Sequence, residues 1–520
     1  MMPRDFNRLS GRFDAVICGG GIYGAWCAYD AALRGLKVAL VEQGDWAGAA
    51  SSASSKLIHG GLRYLEMFDF SLVRKSLRER QMLLQAAPHR VWPLRFGIPV
   101  YRDSRLGRMR LKAGLFIYDL LAGMVHSAEA HRYYAKAAFL QRYPCLDSKF
   151  LTCGFSYLDA QTDDARLVLE LIDGAQQAGA VCLNYCKLSG IREQQGHINA
   201  VKLLELVNGA EAEVATRHVI GTTGPWLAAS ERRLTKGVHL VLPKLLGDEA
   251  LLLTAKSDGR VFFIMPWYGL TLLGTTDSDY NGDIDRVCVD AEEVDYLLSE
   301  ANRALKTVQW TERDIIGRFA GLRVLQPSSH KTPSAISRDW ALKQSDNGFL
   351  TSIGGKITSA RADAAHIIDK LCEQVGNDAP SQTNARPFPW APMNYRQWAS
   401  VESEKARQLG VDEEASLWLL RRHGIRVESI FGNIAENPRL SKRIIPSAPF
   451  IKAELAFCAA NEMVVHLDDL LRRRMPLMIL AKLTVDDLRN LAAGIAGELN
   501  WDSATTNNEI DRCLQIGQCR

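Results

Sequence analysis

Residues 14–42, DAVICGGGIYGAWCAYDAALRGLKVALVE, decide the fold. DAVIC is a short apolar run ending in glycines, which reads as a buried strand. Residues 22–34 follow as a helix closed by Gly35 at a C-cap position. LKVALVE at 36–42 is the next strand. A strand, a helix and a second strand imply parallel pairing through a right-handed crossover. Gly19, Gly21 and Gly24 match G-x-G-x-x-G at the strand-to-helix junction, and Glu42 ends the second strand. In that setting the pattern marks a dinucleotide site. Gly19 permits the tight turn, Gly21 lets backbone approach a pyrophosphate, and Gly24 allows close helix–strand packing. Ile22 opens the helix whose N–H groups and positive partial charge favour phosphate. Glu42 can accept hydrogen bonds from ribose hydroxyls, and its charge opposes a 2′-phosphate.

Working outward, residues 69–87 read as a helix capped by Asp69 or Ser71, and 163–178 as another acid-capped helix. Strand-like runs at 180–207, 214–221, 237–243, 250–254, 261–266 and 270–275 predict a mixed or antiparallel sheet. FLTSI at 349–353, then Gly354-Gly355 and a helix over about 356–375, repeat the strand–glycine–helix logic. Only one dinucleotide fingerprint occurs, whereas pyridine-nucleotide reductases often carry two. A single fingerprint with a late glycine–helix junction suits an extended FAD, reaching from the first unit to the helix after Gly355. Lys356 at that helix start would stabilise negative charge on the reduced flavin, since a lysine is unfavourable there without an anion. Residues 379–394 hold four prolines and read as a linker, after which the pattern is helical. The expected architecture is therefore α/β: an FAD-binding Rossmann-like domain with a mixed-sheet substrate domain and an all-α C-terminal domain. The core spans 14–378, its substrate part mainly about 90–150 and 236–330, and the helical domain spans 395–520.

Composition narrows the class. The chain has 520 residues, 47% apolar and 23% charged, ordinary for a folded protein of about three domains. Lysine and arginine exceed aspartate and glutamate by 63 − 59 = 4, which gives no whole-chain case for nucleic acid. Eleven cysteines without a CxxC pair read as reduced thiols. Neither HExxH nor clustered Cys/His spacing appears, so no metal is expected. No signal peptide and no 18-residue apolar run are read, which places the protein in the cytoplasm. Residues 102–117, RDSRLGRMRLKAGLFI, carry five basic residues against one acid, interleaved with apolar ones. That mix suits a segment lying on anionic lipid. The cluster Arg472 to Arg474 reads as a solvated or interdomain face.

The run at 51–66, SSASSKLIHGGLRYLE, closely resembles the signature of FAD-dependent glycerol-3-phosphate dehydrogenases of the aerobic, membrane-associated type. The resemblance continues colinearly through Thr162-Asp163-Asp164-Ala165-Arg166-Leu167, Thr223-Gly224-Pro225-Trp226, Lys236-Gly237-Val238-His239 and Gly274-Thr275-Thr276-Asp277. It extends to Gly321-Leu322-Arg323, Ser337-Arg338-Asp339, Gly354-Gly355-Lys356-Ile357-Thr358 and Asp468 to Arg474, covering about 14 to 500. It implies oxidation of sn-glycerol 3-phosphate to dihydroxyacetone phosphate, with hydride passing to FAD and electrons to a quinone. It further implies a peripheral enzyme on the inner face of the cytoplasmic membrane, often a homodimer.

By the same resemblance Ser54, Ser55, Lys56, Leu57, His59, Leu188, Thr223, Gly224, Gly355, Lys356, Ile357 and Thr358 bind cofactor. Arg63, Tyr64, Arg323 and Lys356 bind substrate, and His239, Arg323 and Lys356 act in catalysis. The chemistry agrees: a phosphorylated alcohol needs fixed cations, for which arginine is well shaped, and its oxidation needs a proton acceptor, usually histidine. His89 is a weaker candidate. The chain departs from the family pattern at Gly221-Thr222, Val238, Val324 and Ala360, where a tyrosine is usual; its loss would enlarge a pocket or change flavin contacts. These departures leave three alternatives open: another polyol phosphate such as a tetritol phosphate, an amine or amino-acid oxidase, or a flavin-binding protein without turnover.

Overall fold

Ala15–Cys18 pairs in parallel with Val38–Val41 on one side and Val219–Gly221 on the other. The computed structural model, which describes residues 2–326, 340–384 and 386–518, builds a six-stranded sheet outward from this pair. Val181–Leu183 extends it in parallel beyond Val38–Val41. Leu350–Gly354 extends the other side in parallel, and Trp340–Gln344 closes that edge antiparallel. The three central strands are wholly buried because the Ile22–Leu33, Asp164–Gln177 and Ala360–Val375 helices contribute to one apolar core with them. Asp163 caps the second of these helices by accepting the Arg166 N–H, and Asp69, not Ser71, caps Phe70–Ala86 through the Leu72 N–H.

A second, ten-stranded sheet carries the other half of the core. Its centre runs through Arg233–Leu242, Leu270–Gly274, Val261–Trp267, Glu249–Thr254, Val91–Tyr101 and Leu151–Thr162. Most pairs are antiparallel; Glu249–Thr254 runs parallel to Val91–Tyr101. Gly317–Leu325 pairs along the whole of Arg233–Leu242. Residues 180–207, expected to join one sheet, divide: Val181–Leu183 enters the parallel sheet, while Cys186–Gln194 and His197–Glu205 form a separate three-stranded sheet with Glu211–Ala215. The physical reason is exposure: beyond Cys186 one face of the ribbon is solvated, so it alternates instead of staying buried.

The helix expected from residue 356 begins at Ala360. Gly354 and Gly355 both have positive φ, and a turn at 357–359 precedes the helix. From Tyr395 the chain is mainly helical up to Ser503–Gln518. The proline-rich stretch before it is packed: Phe388 and Trp390 are buried, Trp390 Nε1 donates to Asp173 at 2.6 Å, and its backbone N–H donates to Glu170. Ser337-Arg338-Asp339 lies outside the described residues. Among the described residues no helix is long and apolar enough to cross a membrane.

Buried ion pairs hold the helical region to the sheets. Arg166 meets Glu462 at 2.5 Å with both side chains fully buried. Arg473 and Arg474 both pair with Asp45. Within the helical region Arg422 meets Glu454 at 2.7 Å. Burial pushes the Glu454 carboxyl up, but Arg422 and His423 together outweigh burial and hold it at about 2. A carboxyl depressed on folding contributes stability above its ordinary value and loses it as pH falls through the folded one. Stability followed by denaturant titration is therefore expected to fall between pH 4.5 and about 2. Replacing Arg166 by Met leaves Glu462 buried without its main counter-charge and is expected to cost about 3–5 kcal/mol at neutral pH.

Candidate active site

A cavity of about 1820 Å³ lies between the two large sheets. Its nucleotide end is made by the turn after Ala15–Cys18. Gly19 has φ +111°, and a Cβ on Gly24 would stand 1.9 Å from the Gly19 carbonyl oxygen, so only glycine lets the helix approach the strand. Thr222 fastens the turn, its Oγ1 hydrogen-bonding the carbonyls of Cys18 (3.0 Å) and Gly19 (2.9 Å). The departure at Gly221-Thr222 thus supplies a brace. Gly21 faces the cavity, and a Cβ there would meet only Ser51, at 3.0 Å from its Oγ. The Ile22 N–H donates to that same Ser51 Oγ at 2.9 Å.

Glu42 lines the cavity while accepting the N–H groups of Gly20 (2.6 Å) and Gly44 (2.7 Å). Burial pushes its carboxyl up, and the two N–H donors oppose the shift. Cys18 is also in the wall, its thiol pushed up to about 12, chiefly by burial.

Ser54, Ser55, Leu57, His59, Leu188, Thr223, Gly224, Gly355 and Ile357 all line the cavity. Lys56 and Thr358, expected beside the cofactor, do not present their side chains to it. Lys56 has φ +57°, and its ammonium turns inward to Asp164 at 2.7 Å, over the rings of Trp267 and Phe319. The buried Asp164 needs that cation. Thr358 Oγ1 accepts the His59 N–H at 3.1 Å, bracing the loop from behind. Ala360 is fully buried in the sheet–helix core, so the missing tyrosine does not enlarge this cavity.

His239 lies one residue behind the wall. Its ring stacks on Phe319 with centroids 4.9 Å apart, and its Nε2 shares a hydrogen bond with Ser55 Oγ at 2.9 Å. Burial, then the charges of Arg323 and Lys56, push its pKa well below the ordinary value, so the imidazole is neutral. His89 is fully buried against Glu170 at 3.0 Å, away from the cavity, and serves the core.

Several cations line the cavity. Arg63 and Lys356 converge on the Tyr64 ring, 5.4 and 4.4 Å from its centroid. Lys356 Nζ also donates to Ser76 Oγ at 3.3 Å. Arg323 lies across Gly237, where a Cβ would meet its guanidinium at 2.3 Å. It donates to Asp277 (3.1 Å), the Thr276 carbonyl (3.2 Å) and Thr275 Oγ1 (3.0 Å). Arg260, on a loop with no motif around it, adds a further cation to the wall and donates to the Asp277 carbonyl. Sequence reading passed over it, and over Tyr23, whose hydroxyl sits where a side chain on Gly355 would begin. Among the described residues no Asp, Glu, His and Cys side chains gather as a metal site would require.

The family described as FAD dependent oxidoreductase matches residues 14–361, and the C-terminal domain of alpha-glycerophosphate oxidase matches residues 381–506. The chain belongs to the FAD-dependent oxidoreductases, and the open face at Gly21, the Glu42 carboxylate and the long cavity fit that cofactor. A glycerol-3-phosphate dehydrogenase of Synechocystis is 36% identical over 97% of this chain and 95% of its own length. Glycerol-3-phosphate dehydrogenase 2 of Mycobacterium tuberculosis is 35% identical over 96% and 87%. Within the flavoproteins, then, this chain belongs to the glycerol-3-phosphate dehydrogenase family. The crystal structure of the Bacillus halodurans glycerol-3-phosphate dehydrogenase with FAD shares the fold, with a TM-score of 0.80 at 24% identity over 99% of this chain and 96% of that one.

Replacing Gly21 by Val puts carbon where the cofactor backbone must pass and disturbs little else. The variant is expected to purify folded but colourless, as checked by flavin absorbance and by circular dichroism.

Proposed function

We propose that this chain oxidises sn-glycerol 3-phosphate to dihydroxyacetone phosphate and passes the electrons to a membrane quinone. The observation that carries the reading is the set of cations in the cavity wall: Arg63, Lys356 and Arg323 line the same cavity as the dinucleotide turn. A phosphate monoester brings about two negative charges to such a site, and guanidinium groups bind its oxygens in pairs. FAD, when bound, supplies a hydride acceptor.

The protein's part is to bind, orient and move one proton. Arg63 and Lys356 hold the phosphate, their heads steadied by the Tyr64 face. Arg323, fixed by three oxygens, directs the carbinol end. The alcohol proton passes through Ser55 Oγ to His239 Nε2, which burial and then the neighbouring cations keep unprotonated beforehand. Anaerobic addition of glycerol 3-phosphate is expected to bleach the flavin, and tetritol phosphates or amino acids are expected to leave it yellow. In Arg63→Gln the concentration needed for half-bleaching is expected to rise roughly a hundredfold, since a charge-assisted bidentate contact is lost. Bleaching by an amino acid and not by the phosphate would overturn the assignment.

The acceptor reading rests on the surface beside this cavity. The Arg108–Ala122 helix buries Leu111, Leu115 and Tyr118 but leaves Met109, Phe116 and Leu120 exposed, next to exposed Arg108, Arg110 and Lys112. Phe68, 78% exposed, and Phe70 join this surface and also line the cavity, with Arg105, Arg110 and Ile117. An apolar face rimmed by cations suits an anionic bilayer, and the cavity opening there gives a lipid-borne quinone a path. Flotation with anionic vesicles is expected to carry the protein upward. Serine at Met109, Phe116 and Leu120 together is expected to abolish flotation.

A further inference from the structure

The nucleotide end of the cavity has a wall that the G-x-G-x-x-G unit does not supply. Leu470–Arg474 and Ser503–Gln518 bring Arg472, Arg473, Arg512 and Ile516 to the same cavity as Glu42, Asp45 and Leu188. Two links fix them there. Arg473 and Arg474 pair with Asp45, three residues beyond Glu42, and Tyr185 Oη donates to Asp469 at 2.6 Å. Arg512 in turn donates to Asp468 at 2.6 Å.

Arg472 differs from its neighbours. It is half-buried and lines the cavity, yet among the described residues it makes no hydrogen bond or ion pair. Burial and the adjacent Arg473 push its guanidinium down to about 10 against the opposing pull of the Asp468 carboxylate, so it stays charged at neutral pH in a setting that on balance disfavours charge. Holding a cation there is unfavourable unless another group completes its surroundings.

We propose that Arg472 is a cofactor-binding residue whose guanidinium contacts the adenosine end of FAD, so that the C-terminal helices close over the dinucleotide. Position selects adenosine. The phosphates belong at the Gly21 turn and the ribose hydroxyls at Glu42. The arginine adjoins Arg473, which pairs with Asp45, three residues past Glu42. A planar guanidinium suits that place, because it can lie on the adenine face and donate to its ring nitrogens. The inference rests on FAD being the cofactor.

The test uses full-length apoprotein titrated with FAD and with ADP, which carries the adenosine and diphosphate of FAD without its flavin. Arg472→Gln is expected to weaken both by on the order of tenfold, and Arg472→Lys to weaken both less, since charge is kept and the fork lost. The melting temperature of Arg472→Gln apoprotein is expected to stay close to wild type, since no hydrogen bond or ion pair is removed and the repulsion from Arg473 offsets the attraction to Asp468. Affinities for FAD and ADP within about twofold of wild type would overturn the proposal. So would an equal loss of apoprotein stability, which would make the residue structural. A wild-type apoprotein that takes up no FAD would overturn the cofactor assignment itself, a separate and recognisable failure.

Discussion

The carbonyl oxygen of Gly19 occupies the space where a side chain at position 24 would start. That contact brings the first helix down onto the first strand and points its N-terminus into the cavity. Thr222, reaching across from the neighbouring strand, hydrogen-bonds the same carbonyl and fixes the turn's shape. The parallel sheet, the direction of the cavity and the location of its nucleotide end all follow from an approach that only hydrogen at position 24 permits.

Charge is sorted by what faces it. Lys56, Arg166, Arg361 and Arg474 are turned inward onto carboxylates and fasten one part of the chain to another. Arg63, Arg323 and Lys356 are turned toward the cavity, where an anion can reach them. The small net charge of the sequence conceals this division, because the sum does not tell a cation turned into the core from one that lines the cavity. Burial first, and then one cation of each kind, Arg323 in the cavity wall and Lys56 in the core, keep His239 neutral.

Periodicity and glycine spacing made the α/β framework legible, because both are local: the strand at 15–18, the helix after it and Glu42 are within 30 residues of one another. The resemblance at 51–66 drew attention to Arg63, Tyr64 and the serines, which line the cavity. What escaped was direction. Nothing in the string SSKLIHGG tells that Lys56 takes a positive φ and turns away, since its partner Asp164 is over a hundred residues distant. Arg260 and Arg472 escaped for the same reason: each is an arginine among many until folding decides which ones lack a carboxylate or meet a cavity. The late helix starts at Ala360 and not at 356 because a turn at 357–359, which glycine spacing does not reveal, separates the two positive-φ glycines from it.

The Tyr23 hydroxyl donates to Asp363 at 2.6 Å across 340 residues of chain, and it closes over Gly355. A phenol from the first helix therefore waits for a segment made near the end of the core, and Asp45 waits longer still for Arg473 and Arg474. Contacts of such long range form late, because the loop they close must first be ordered. During synthesis the glycine turn emerges early, but the chamber around it is finished only when the last helices dock. A cofactor held by that chamber stabilises the chain with these helices docked far more than one without them, so its uptake reports that they have docked.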